Sequence, residues 1–202
     1  MEQFRTEVFP DSGTQEEDAG ESRPGGFRRF ALDAIETILL SLVLFLGINA
    51  VSARIRIESI SMQPTLYAGD FVIVNKIAYW VGSPSRGDVI IFHYPPDPER
   101  EPYIKRIIGL PGDTVRVSSG KVMVNNHPLI EPYISANPMY EGEWKIPDDS
   151  LFVLGDNRNS SSDSHQWGMV PLENVIGKAE VVYWPPTEWK LLNQDTALAS
   201  GQ

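Results

Sequence analysis

The sequence has no cysteine. That excludes disulfides, thiolate zinc sites and a cysteine nucleophile, and leaves the redox compartment open. Histidine is almost as scarce, with only His93, His127 and His165. They are too scattered for the His-x-x-x-His spacing by which one helix face holds zinc, so no metal site is predicted. A basic patch is also missing. The formal net charge is -10, and phosphate binding needs clustered Lys and Arg, so composition argues against a nucleic-acid partner. Helical periodicity is nearly absent outside one apolar run, and there is no internal repeat.

The 202 residues, 42% of them hydrophobic, fit one modest domain with appendages. Residues 1–29 are acidic and rich in Gly, Ser and Pro. They bury too little apolar surface to offset the entropy of ordering and read as a disordered tail. Residues 30–53 are long and apolar enough to cross a hydrocarbon core of about 30 Å as one helix. Asp33 and Glu36 lie near one end, where they can reach the headgroups. A retained anchor is expected rather than a cleaved signal, because some 30 polar residues precede the run. Arginines flank both ends (Arg23, Arg28, Arg29; Arg54, Arg56), so charge bias barely orients the span.

Residues 54–192 carry short β-rich runs at 71–74, 88–92, 114–117, 121–124, 151–154 and 180–184, broken by Gly, Pro and Asp. This spacing predicts an antiparallel β fold. Asn125-Asn126 sits between two strand-like runs, where the tolerance of Asn for positive φ suits a tight hairpin. Residues 193–202 read as a frayed tail.

Three segments could carry chemistry. In the first, Ile57 to Leu66, Ser59 and Ser61 are two apart, which in an extended segment puts both hydroxyls on one face. A bare Ser-x-Ser is more often an ordinary turn. A serine hydroxyl becomes a nucleophile only when a neighbour takes its proton. The second segment, Tyr103 to Asp113, places Lys105 in a hydrophobic strand. A lysine base must be neutral near working pH, which means moving its pKa from about 10.4 to roughly 7 to 8, a difference of about 4 kcal/mol. Burial can supply such a shift. Strand alternation puts Lys105 and Arg106 on opposite faces and leaves open which points inward. The third segment, Gly155 to Gly168, is so dense in Gly, Asn, Asp and Ser that it reads as a structured loop. An Arg158–Asp163 ion pair could brace it.

Together these segments resemble the type I signal peptidases. The shared features are Ser-x-Ser-Met-x-Pro-Thr-Leu at Ser59–Leu66, Gly69-Asp70, Arg86-Gly87-Asp88-Val89, Lys105-Arg106 leading to Gly109-Leu110-Pro111-Gly112-Asp113, and the Gly155–Gly168 loop. The resemblance implies a mostly antiparallel β catalytic domain with one N-terminal transmembrane helix and a short inserted β region, residues 114–150. It implies Ser61 as nucleophile and Lys105 as general base, with the Ser61 N–H and Ser59 hydroxyl forming the oxyanion hole. Ser161 would orient the lysine, and Arg158 and Asp163 would give structural support. No cofactor or metal is implied.

The expected activity is removal of signal peptides from exported preproteins after an Ala-x-Ala-like site. The expected partners are those preproteins and the lipid bilayer, and the catalytic domain would face the exported side of a plasma or thylakoid membrane. Ile57, Ile60, Leu66, Ile104 and Ile107 are candidates to line the substrate pockets, and Ile60 stands where glycine is common in the family. Two other readings are weaker. A self-cleaving Ser/Lys repressor should carry a helix-turn-helix, and a β-domain that only binds signal segments has no need of Ser59, Ser61, Lys105 and Ser161 together.

Overall fold

The computed structural model describes residues 25–192. The tail expected over 1–24 and the one over 193–202 lie outside these residues. The chain divides into two units, 1–44 and 45–202, and the boundary falls inside the first helix.

That helix, α1, covers Gly25–Val51, so residues 25–29 are helical rather than the end of a tail. Within it, Gly26–Val51 is long and apolar enough to cross a membrane, its most apolar 18 residues having a mean hydropathy of 2.1. At 1.5 Å per residue it is about 40 Å long, more than a hydrocarbon core requires. Its hydroxyls are satisfied internally: Thr37 donates to the Asp33 carbonyl at 2.8 Å, and Ser41 to the Thr37 carbonyl at 2.7 Å. A hydroxyl bonded back to the preceding turn needs no water of its own.

The second unit is mostly β. Its strands are β1 (Ser52–Arg56), β2 (Phe71–Asn75), β3 (Val89–Phe92), β4 (Tyr103–Gly109), β5 (Thr114–Ser118), β6 (Lys121–Val124), β7 (His127–Pro128), β8 (Gly142–Lys145), β9 (Ser150–Leu154), β10 (Val170–Pro171), β11 (Val175–Trp184) and β12 (Lys190–Leu191). Two one-turn helices, α2 (Ala78–Val81) and α3 (Ser164–Trp167), interrupt them. The larger sheet runs β1-β2-β11-β3-β4-β9-β10, with β12 also paired to β11. The smaller, β7-β6-β5-β8, is built from residues 114–145. Among the described residues the strands of both sheets pair antiparallel.

The hydrophobic pattern explains the layers. In β2 alternate residues are buried, as expected of a strand with one face on the core. β3 and β9 are buried along their whole length, and β4 at all but its first residue, so these central strands are covered on both faces. One cluster, including Ile57, Met62, Leu66, Val72 and Val89, packs beside the serine segment. Another joins Val115, Val117, Val122 and Val124 of the smaller sheet to Ile108, Phe152 and Leu154 of the larger. The expected hairpin at Asn125-Asn126 is present: both residues have positive φ, 51° and 68°, and Val124 pairs with His127.

Candidate active site

After β1 the chain leaves the sheet and is pinned by two backbone bonds, Ile57 N–H to Asp70 O and Gly69 N–H to Ile57 O, both 2.8 Å. Between them a helical turn begins at Ser61, closed by Leu66 N–H to Met62 O at 2.8 Å. The fully buried Met62 and Leu66 anchor this turn in the core, so Ser61 is held by apolar packing on its C-terminal side. The Ser59 and Ser61 hydroxyl oxygens are 3.2 Å apart.

Strand β4 brings Lys105 to this turn. Its Nζ donates to Ser61 Oγ at 2.8 Å and to the Ile104 carbonyl at 2.8 Å. Lys105 is 4% exposed and Ser61 7%. Burial lowers the lysine pKa from 10.5 to about 8, against an opposing pull from the negative charges of Asp163 and Asp156. A large fraction of the amine is thus neutral at mildly alkaline pH, and its lone pair is placed to accept the Ser61 proton.

Arg106 is also inward, so the alternation resolves with both basic residues buried. Its guanidinium holds both oxygens of Asp156, at 2.8 and 2.7 Å, and donates to the Gly87 carbonyl at 2.8 Å. Two inward basic residues are possible because β4 is covered on both faces. Asp156 belongs to the loop after β9. Its neighbour Asn157 donates its backbone N–H to the Ser61 carbonyl at 3.0 Å and its side-chain amide to the Ile60 carbonyl at 3.2 Å. Gly155 makes this approach possible, because a Cβ there would collide with both the Ser61 carbonyl and Ser161 Oγ.

Two expected contacts are not formed. Arg158 does not pair with Asp163. It binds Glu131 through both terminal nitrogens, at 2.8 and 2.5 Å, and donates to the Gly155 carbonyl. Asp163 instead accepts from Gly155 N–H at 2.9 Å, caps α3 and sits 2.5 Å from His165 Nδ1. The carboxylate serves the turns on either side of it, while Glu131 offers the guanidinium a bidentate partner. Ser161 does not bond to Lys105 either. Its Oγ is buried beside Gly155 without a hydrogen-bond partner, and the lysine is oriented by the Ile104 carbonyl instead.

A cleft of about 410 Å³ opens at the serine pair, with Ile57, Ile60, Tyr103 and Ile104 among its walls. Leu66 and Ile107, the other proposed lining residues, are core. Arg56, Glu58, Arg100 and Glu101 add charge to the lining, a contribution absent from the apolar set expected. Of the tryptophans, Trp144 packs against Phe152 and Trp167 against Phe92, whereas Trp80, Trp184 and Trp189 are exposed. Sequence reasoning missed Glu131, Tyr133, Arg106 and Asp156 as supports of the site. The adjacent Lys105-Arg106 pair in an otherwise apolar strand was a signal for the last two. Glu131 and Tyr133, in an irregular segment, gave none.

Residues 31–184 match the family described as "Signal peptidase, peptidase S26". The chain belongs to this family. It is 50% identical over 163 residues to a signal peptidase I of Leptolyngbya laminosa, covering 76% of this chain and 80% of that one. A probable signal peptidase I-2 of Synechocystis sp. is 47% identical over 171 residues, 81% of this chain and 78% of the relative. A probable chloroplastic thylakoidal processing peptidase of Arabidopsis thaliana is 42% identical over 139 residues, 65% of this chain but only 38% of the plant protein.

Proposed function

We propose that this S26 peptidase is a membrane-anchored signal peptidase I, a serine endopeptidase working through Ser61 and Lys105. The observation that carries the reading is the 2.8 Å contact between the buried Lys105 amine and Ser61 Oγ. The neutral amine takes the Ser61 proton as Oγ attacks the scissile carbonyl carbon. Negative charge then develops on the carbonyl oxygen. The Ser61 backbone N–H, which has no acceptor among the described residues, and the Ser59 hydroxyl are the donors closest to that position. Collapse of the intermediate breaks the C–N bond, and the protonated Lys105 returns its proton to the leaving amine. Water, deprotonated by the same lysine, then hydrolyses the Ser61 ester. Arg158 and Asp163 give support, each through its own partner.

The substrate is an extended segment of a preprotein with small residues at the first and third positions before the cut. An extended peptide directs alternate side chains to one side, where the apolar wall that Ile57, Ile60 and Ile104 contribute to the cleft would receive the two alanines of Ala-x-Ala. Helix α1 spans a plasma or thylakoid membrane, with the β domain (54–192) on the exported side. Residues 114–150 form the short insertion. The test is cleavage of a detergent-solubilised preprotein with an Ala-x-Ala site by the protein and by its Ser61→Ala form. Cleavage by the first alone supports the reading, and equal cleavage by both contradicts it.

A further inference from the structure

The support behind the nucleophile begins in the segment between β7 and β8. Glu131 receives Arg158 through both carboxylate oxygens and accepts the Tyr133 hydroxyl at 2.9 Å. The buried Tyr133 ring lies beneath Arg106, whose guanidinium carbon is 4.1 Å from the ring centroid, a cation–π distance. Arg106 in turn grips Asp156 with two bonds. The charged residues on both sides of Asn157 therefore lead back to the same two side chains. Asn157 itself bonds the carbonyls of Ser61 and Ile60.

We infer that Glu131 and Tyr133 are positioning residues for catalysis: they clamp Asp156 and Arg158, and through Asn157 they fix the backbone of Ser61. Neither lines the cleft, so they act on turnover without touching the peptide. A buried Arg–carboxylate pair adds little net stability over an apolar pair of similar volume, but its fork geometry fixes direction. Displacing a nucleophile by about 1 Å costs on the order of 100-fold in rate. Loss of nucleophile placement lowers kcat and leaves KM unchanged, because only the transition state is affected.

The inference rests on the peptidase reading. A parent protein that cleaves no preprotein counts against that reading rather than against the clamp. The variants are Glu131→Gln and the double replacement Glu131→Leu with Arg158→Met, assayed in the full chain with kcat expressed per folded molecule. Glu131→Gln is expected to lower kcat about 10- to 100-fold, with KM within about two-fold of the parent. The double variant, which removes both buried charges together, is expected to recover part of the melting temperature lost in Glu131→Gln, the Tyr133 hydroxyl and Gly155 carbonyl being left unpartnered, while kcat stays low. Recovery of kcat along with the melting temperature would reduce the clamp to a folding device and overturn the inference. An unchanged kcat in Glu131→Gln would do so by itself, even if the double variant does not fold.

Discussion

Lys105 Nζ lies 2.8 Å from Ser61 Oγ, although 44 residues separate the two in sequence. The lysine is rigid because β4 is paired on both sides, by β3 and by β9. The serine is rigid because Met62 and Leu66 bury the turn it starts. A short hydrogen bond between two independently anchored groups is preorganised, and its geometry need not be assembled by substrate.

Replacing Lys105 by Met should abolish cleavage and yet stabilise the fold. The folded pKa of about 8 lies below the ordinary value of 10.5, so the unfolded chain holds this proton more tightly. The resulting penalty is fully present below pH 8 and disappears as pH rises toward 10.5. Removing the amine therefore gains about 3 kcal/mol at most at pH 7. Denaturant melts of both proteins at pH 7 and pH 10 should show the gap narrowing, and a destabilised Met variant at pH 7 would be inconsistent with a buried, strained charge.

Ser59→Ala should lower kcat by about 10² to 10³ with folding intact, the usual cost of one oxyanion donor. Steady-state cleavage rates measure it directly. A change confined to KM would place the Ser59 hydroxyl in substrate binding instead.

Gly155→Ala should push a methyl group into the Ser61 carbonyl. Relief requires the serine turn and the 155–163 loop to separate, so turnover per folded molecule should fall by about 100-fold. Overpacking should also destabilise the fold by about 1 to 3 kcal/mol. Parental turnover in this variant would show that the loop does not set the nucleophile.

Leu42 lies within the apolar run of α1. An arginine there costs about 2.5 to 3.5 kcal/mol of insertion free energy. Flotation with liposomes after an alkaline wash should retain the parent and release part of the Leu42→Arg variant. Equal flotation of the two would mean that α1 is not the anchor.

The parts of the molecule that repeat a pattern are legible in the sequence. The β-rich runs Phe71–Val74 and Leu151–Leu154 read as strands, and Asn125-Asn126 reads as a turn, because local sterics decide them. Strand β1 is not legible. Ser52 and Ala53 read as the end of the span and Arg54 and Arg56 as its flanking charges, but the helix stops at Val51, and only pairing with β2 makes Ser52–Arg56 a strand. The very short strands β7, β10 and β12 likewise depend on their partners. At the site, Ser59, Ser61 and Lys105 stand out because their motifs are compact. The partner of Arg158 does not, because Asp163 is five residues away while Glu131 arrives from the inserted segment, and only the fold decides between two carboxylates.

The most direct test of the account is the pH dependence of kcat/KM for a preprotein with an Ala-x-Ala site. With Lys105 as the base, the rate should rise tenfold per pH unit on the acid side and level off above a midpoint near 8, the pKa that burial gives this amine. A profile that is flat through that range, or an acid limb that persists unchanged in a still-active Lys105→Met enzyme, would contradict the lysine-base mechanism.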